Sequence, residues 1–238
     1  LRISGDLLIA TGLDLKGYRL ETEGNTTITN TYIRMSGGSF ICGGDLTVNG
    51  DYSSLYMTNE NDQAVVYGDF IYGSRYGNSS RMTAGTLELK GDFRQTVTYR
   101  EDNFIASGNH KVIFSGNKKQ TISFASSKSY FNIAEFRNYS EEGIYCENGL
   151  NAAEIITNDC NITYNGSQMT GWTLNSDMVI GEDLVLIGGT LDLNGHTLTV
   201  NGDFIQNSGT VYINGGTLLI EGSYYLQSVR TQSDGTVK

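Results

Sequence analysis

A register of twenty residues, repeated within the chain, limits its folding more than any other feature. Thr190-Leu191-Asp192-Leu193-Asn194-Gly195 aligns with Thr210-Val211-Tyr212-Ile213-Asn214-Gly215. Thr197-Leu198-Thr199-Val200-Asn201-Gly202-Asp203-Phe204 then aligns with Thr217-Leu218-Leu219-Ile220-Glu221-Gly222-Ser223-Tyr224. In each copy apolar and polar residues alternate and stop at Gly, the period-2 pattern of short half-buried strands between tight bends. A unit this small cannot bury an apolar face alone, so copies in register imply coils that stack on a shared core. Crossovers between parallel strands are right-handed. The expectation is an all-β, right-handed parallel β-helix (β-solenoid) of roughly ten coils of about 20–25 residues.

Composition agrees with a ladder of strands. The 238 residues include 30 Gly and no Pro; Gly supplies bends, and absence of Pro leaves backbone donors intact. The formal net charge is −10 and the sequence pI about 4.6, which repels phosphate backbones, so nucleic acid is not expected as a partner. No apolar run approaches the ~20 residues of a spanning helix, so no membrane insertion is expected. Strand patterning begins at Leu1-Ile3-Gly5-Asp6-Leu7. The chain therefore reads as one β-solenoid domain, 1–238, cut from a longer repetitive protein with flanking repeats as neighbours.

The register recurs upstream. Leu13, Leu15, Gly17, Leu20 and Gly24 correspond to Leu191, Leu193, Gly195, Leu198 and Gly202, and Ile33, Met35, Gly37, Phe40, Cys42 and Gly44 follow at twenty. Further copies end at Val66-Tyr67-Gly68, Leu89-Lys90-Gly91 and Phe114-Ser115-Gly116. Parity points Leu55, Met57, Val66, Leu87, Leu89, Leu198 and Val200 inward, and Tyr56, Tyr67, Glu88, Lys90, Thr199 and Asn201 outward. Gly44-Asp45 and Gly50-Asp51 compete to stack on Gly68. Between residues 118 and 181 the Gly spacing is lost, which implies irregular coils or an insertion. The polar stretch Arg94 to Lys111 reads as an extended loop or a coil with an exposed arm, and Gly149 to Ile156 as a short helical turn.

Several residue patterns bear on chemistry. Asp45, Asp51, Asp69, Asp92 and Asp203 each follow Gly. Stacked carboxylates could approach the spacing of a retaining glycosidase pair, but Asp after Gly is ordinary turn chemistry, bonding nearby backbone N–H groups. Gly43 to Asp51 only echoes the calcium nonapeptide. Cys42 occupies an inward position; Cys146 and Cys160 could pair or stay free, and with His110 and His196 they make no zinc pattern. No catalytic residue, metal or cofactor is expected. The Tyr-rich zone from Tyr52 to Tyr99 is the strongest binding signal, and outward Tyr56 and Tyr67 are its candidate ligand-binding residues, since aromatic side chains offer area with a polar handle; high strand propensity is the competing explanation. Asn-Gly at Asn49, Asn194, Asn201 and Asn214 marks bends. Sequons occur at Asn25, Asn78, Asn138, Asn161 and Asn165.

Gly189 to Tyr225, together with His110 to Phe124 and Phe131-Asn132-Ile133, resembles the repeats of large, secreted, repetitive β-solenoid cell-surface (adhesin-like) proteins of Gram-positive-type bacteria. The resemblance covers under half of the chain and brings no catalytic residues. It implies an extracellular, cell-wall-associated structural module that spaces or presents binding regions. Its partner would be a host or bacterial glycan or a surface protein. The alternative is a carbohydrate-active β-helix module that binds or cleaves polysaccharide.

Overall fold

The computed structural model describes all residues except 77–79, 97–98, 127, 148–149, 159, 165–166, 171, 175–176, 182, 228–229 and 233–234, and leaves aside the strand side chains at 164, 167–170, 187, 230–232 and 237. The described chain holds thirty short strands and no helix. Every sheet is parallel, and the chain is an all-β solenoid of about ten turns. No helix among the described residues is long and apolar enough to cross a membrane. The chain forms two compact units, residues 1–116 with 124–134, and residues 117–123 with 135–238.

In the first unit each coil has three sides. The first carries Arg19–Thr22, Ser39–Cys42, Gln63–Val66, Thr86–Leu89 and Lys111–Phe114, and the second Thr26–Thr29, Leu46–Gly50, Phe70–Ser74 and Phe93–Gln95. The third carries Leu13–Asp14, Tyr32–Arg34 and Ser54–Tyr56, continued by single bridges Met57 to Met82 and Ile105 to Tyr130. Register locks Leu20 to Phe40, Phe40 to Ala64, Ala64 to Leu87 and Leu87 to Val112. Inward positions are sealed: Phe40, Cys42, Leu46, Val66, Leu87 and Leu89 are fully buried. Gly68 stacks on Gly44, its N–H donating to the Gly44 carbonyl at 3.0 Å, which settles the competing register.

Coil length varies on one side only. Arg19 to Thr26, Ser39 to Leu46, Gln63 to Phe70 and Thr86 to Phe93 are register-equivalent steps of seven positions each. The return steps, Thr26 to Ser39, Leu46 to Gln63, Phe70 to Thr86 and Phe93 to Lys111, span 13, 17, 16 and 18 positions. All added residues therefore fall between the second side and the next first side. Longer coils enclose more interior, and close packing demands that it be filled. Phe70, Tyr72, Phe93, Phe104, Phe124 and Phe131 fill it, with ring centroids 4.8 to 6.5 Å apart.

Two expectations need correction here. The stretch 94–111 is not simply an exposed arm. Tyr99, Arg100 and Glu101 are exposed, but Asn103, Phe104, Ala106 and His110 are buried. Phe104 is drawn in because the wide coil leaves a void for its ring, and Asn103 anchors the turn by donating to the carbonyls of Ser74 and Thr96, both at 2.9 Å. Nor do the described residues 150–156 form a helical turn: Ala152–Ile156 is a strand, and Ile155 bridges Leu174. β-Branched Ile155 and Ile156 favour that conformation once neighbouring coils supply partners.

The second unit settles into strict periodicity after an irregular start. Register steps run from Ile122 to Cys146, then to residue 162 from Ile144 and to Ile180 from Ile162, so coils of 24, 18 and 18 positions precede those of 20. From Met178 onward the chain repeats three sides, with Met178, Leu198 and Leu218 on one, Leu184, Phe204 and Tyr224 on the next, and Thr190 and Thr210 on the last. The turns Asn194-Gly195 and Asn214-Gly215 place both residues in the left-handed region (φ 47 and 83°, then 45 and 76°), as a tight type I′ bend requires. Leu191, Leu193, Leu198, Val200, Val211, Ile213 and Leu218 are fully buried, so this core is mainly aliphatic.

Candidate functional site: a tyrosine and arginine surface

The repeated acidic residues are engaged in stacking. In the first unit Asp6 Oδ1 accepts the N–H of Asn25 (2.7 Å) and Asn25 Oδ1 that of Asp45 (2.8 Å). Asp45 Oδ1 accepts from Asp69 and Asp69 Oδ1 from Asp92, both at 2.8 Å. The second unit repeats the device, Asp183 Oδ1 to Asp203 N at 2.7 Å and Asp203 Oδ1 to Ser223 N at 2.8 Å. Each side chain thus holds the equivalent amide of the next coil, not a neighbour within its own turn as expected. The preceding Gly follows from the same geometry: a Cβ at Gly24, Gly44, Gly68 or Gly222 would strike the Asx oxygen of the coil before it. Asp51 differs, as its N–H donates to Asn30 Oδ1 at 2.9 Å while its carboxylate pairs with Arg75 at 3.2 Å.

The other candidate groups are embedded. Cys42, Cys146 and Cys160 are buried and form no disulfide. Among the described residues no three His, Cys, Asp or Glu side chains gather closely enough to hold a metal ion. His110 is fully buried, neither ring nitrogen has a hydrogen-bond partner, and burial pushes the imidazole down to about 3. His196 lies 3.8 Å from Asp177. Of the sequons, Asn25 serves the ladder, Asn138 is buried and donates to the Lys118 carbonyl at 2.6 Å, and Asn161 donates to the Glu141 carbonyl at 3.0 Å. Asn78, Asn165 and Gly149 lie outside the described residues.

The aromatic signal resolves into a surface on the variable side of the first unit. Gly50 pairs with Ser74 in register, so the following residues stack coil on coil. Tyr52 and Tyr76 lie parallel, centroids 4.7 Å apart, and Tyr76 meets Tyr99 at 5.6 Å with a 58° tilt. These three rings are 59%, 39% and 67% exposed. Arg75 sits 5.8 Å from the Tyr99 centroid. Beside this row, Asp14, Arg34 and Tyr56 occupy one outward column of the third side. Tyr32 meets Tyr56 edge-on at 5.3 Å. Arg34 approaches both rings, at 5.2 and 5.0 Å, and Arg81 approaches Tyr56 at 5.1 Å. Arg81 also donates to the Tyr52 carbonyl at 3.4 Å and to Ser54 Oγ, joining the two groups.

Of the two tyrosines singled out from the sequence, Tyr56 lies at the centre of this cluster. Tyr67 does not join it. It extends 57% exposed from the first side, after Val66, its N–H donating to the Cys42 carbonyl at 2.9 Å. The sequence marked the zone from Tyr52 to Tyr99, but parity did not single out Tyr52, Tyr76 and Tyr99 as an aligned row, because they lie in segments without strand periodicity. The signal that could have found them was the interval itself, 24 and then 23 positions, equal to the coil steps of the neighbouring strands. Comparison with known proteins finds no matching family model, no matching curated protein and no matching solved structure.

Proposed function

We propose that the chain is a non-catalytic, extracellular β-solenoid module of a bacterial surface protein that spaces or presents binding regions. The ladder carries this reading. Asp45, Asp69 and Asp203, among the most enzyme-like residues of the sequence, each give an acceptor oxygen to the next coil, as do Asp6 and Asp183, so their recurrence serves stacking. A corner that recurs in both units suits a spacer, and the resemblance to surface-protein repeats supports the same role. The variable side offers a place for binding residues without altering the corner.

The second reading, a carbohydrate-active module, draws on the exposed row Tyr52, Tyr76 and Tyr99. A glycan array run beside a polysaccharide-degradation assay separates the two. The spacer reading expects intact polymer after prolonged incubation, and release of oligosaccharides would overturn it. Surface labelling of intact cells that produce the full-length protein checks the location: the account expects accessible epitopes, and labelling only after lysis would contradict it.

A further inference from the structure

We propose that Tyr56, flanked by Arg34 and Arg81, and the adjoining row Tyr52, Tyr76 and Tyr99 bind a polysaccharide that carries carboxylate groups. This rests on the reading of the chain as a presenter of binding regions and names the ligand class. Charge is the first argument. Arg2, Arg19, Arg75, Arg100 and Arg137 each have a carboxylate within 4.0 Å. Among the described residues Arg34 and Arg81 have none, although the chain carries ten net negative charges. Asp14, one coil from Arg34, is engaged chiefly by Ser36 and by the Lys16 N–H, with a smaller attraction from Arg34 beyond 4.0 Å, and together these hold its carboxyl below the usual range. Two half-buried guanidiniums about one ring repel each other, and an anion between them relieves that cost. Guanidinium also presents paired donors that match a carboxylate.

The row explains why the ligand is a polymer and a sugar. Its rings recur once per coil, so a chain of repeating units meets equivalent contacts in succession. Tyr52 and Tyr76 stack on one face of each other, and both rings stay partly exposed. Hydroxyls at regular intervals suit the hydroxyl groups of pyranose rings. Single-stranded DNA, a polyanion recognised chiefly through base stacking, is the comparison that separates sugar recognition from charge alone.

The test is titration calorimetry of the folded chain with polygalacturonate oligosaccharides, neutral cello-oligosaccharides of equal length and single-stranded DNA. The expected result is binding of the galacturonate series, at least about tenfold weaker binding of the neutral series, and weakening as salt rises. Arg34→Gln and Arg81→Gln should each lower galacturonate affinity about tenfold, roughly one charge-assisted contact. Tyr76→Ser should weaken it as well, while Tyr67→Ala should change nothing. Circular dichroism verifies folding, and if Arg81→Gln does not fold, Arg34→Gln with Tyr76→Ser decides. Equal affinity for neutral sugars, tighter binding of DNA, unchanged affinity in the arginine variants, or no binding by the folded chain would each overturn the proposal. Cleavage of the galacturonate during titration would instead overturn the non-catalytic reading and leave the binding surface standing.

Discussion

The long coils of the first unit and the 20-residue coils from Met178 to Tyr224 solve one stacking problem with different interiors. Both join coils through Gly followed by Asx, with the side-chain oxygen on the next coil's amide. In the short coils the three sides keep fixed lengths and Leu, Val and Ile fill the core. In the long coils one side swells by three to five positions and aromatic rings occupy the widened interior. The contrast shows that corner and filling are separable. The corner fixes the rise from coil to coil, whereas the filling follows from circumference. Only the swollen side gains new outward surface, and the tyrosine and arginine cluster lies there.

The largest expected effect tests the filling. Phe104 touches Phe70, Tyr72, Phe93, Phe124 and Phe131, so Phe104→Ala should cost about 3–5 kcal/mol. Hydrogen exchange should show protection lost in the first unit and retained around Leu198 and Leu218. Loss spread evenly over both units would mean that the two cores do not differ as described.

Acid should expose the same difference. His110 belongs to the long coils and its folded-state pKa is about 3, against an ordinary 6.5. Between those values the unfolded chain binds a proton that the folded chain does not, so stability falls as pH drops through this window. The slope is about 1.4 kcal/mol per pH unit, or roughly 3 kcal/mol two units below 6.5. Denaturation at several pH values should show His110→Leu flattening this dependence by one proton. An unchanged slope would place the acid sensitivity elsewhere.

The corner is tested by matched glycine variants. Gly68→Ala and Gly222→Ala both drive a Cβ into an Asx oxygen of the preceding coil, and each should cost about 2 kcal/mol by urea denaturation. A cost at one position only would show that the two regions do not share a corner. A smaller effect separates acceptor from charge. Asp45→Ala should cost about 1 kcal/mol, typical of a side chain capping a backbone N–H, whereas Asp45→Asn should cost almost nothing. Asn25 already fills that role one coil earlier.

Strand periodicity made the stack, its facing residues and the inward Cys42 legible from sequence, because parity and register are local properties. The purpose of Gly-Asp was less visible. Its partner amide lies one coil away, and coil length is set by the whole circumference. Phe104 and His110 were hidden for a related reason: isolated in a polar stretch, they are buried only because neighbouring coils leave room. Ile155 and Ile156 illustrate pairing overruling a weak helical pattern. The binding surface was half legible, since Tyr56 follows a strand pattern while Tyr52, Tyr76 and Tyr99 align only once coil lengths are known.

The separation of a fixed corner from a variable side is tested most directly by two insertions in one coil. A Gly-Ser pair placed after Lys90 lengthens the seven-position step from Thr86 to Phe93, and the same pair after Tyr99 lengthens the 18-position step from Phe93 to Lys111. Thermal unfolding followed by near-ultraviolet circular dichroism should show the first insertion abolishing the cooperative transition and the second shifting it by no more than about 2 °C. Equal damage from both would contradict the account.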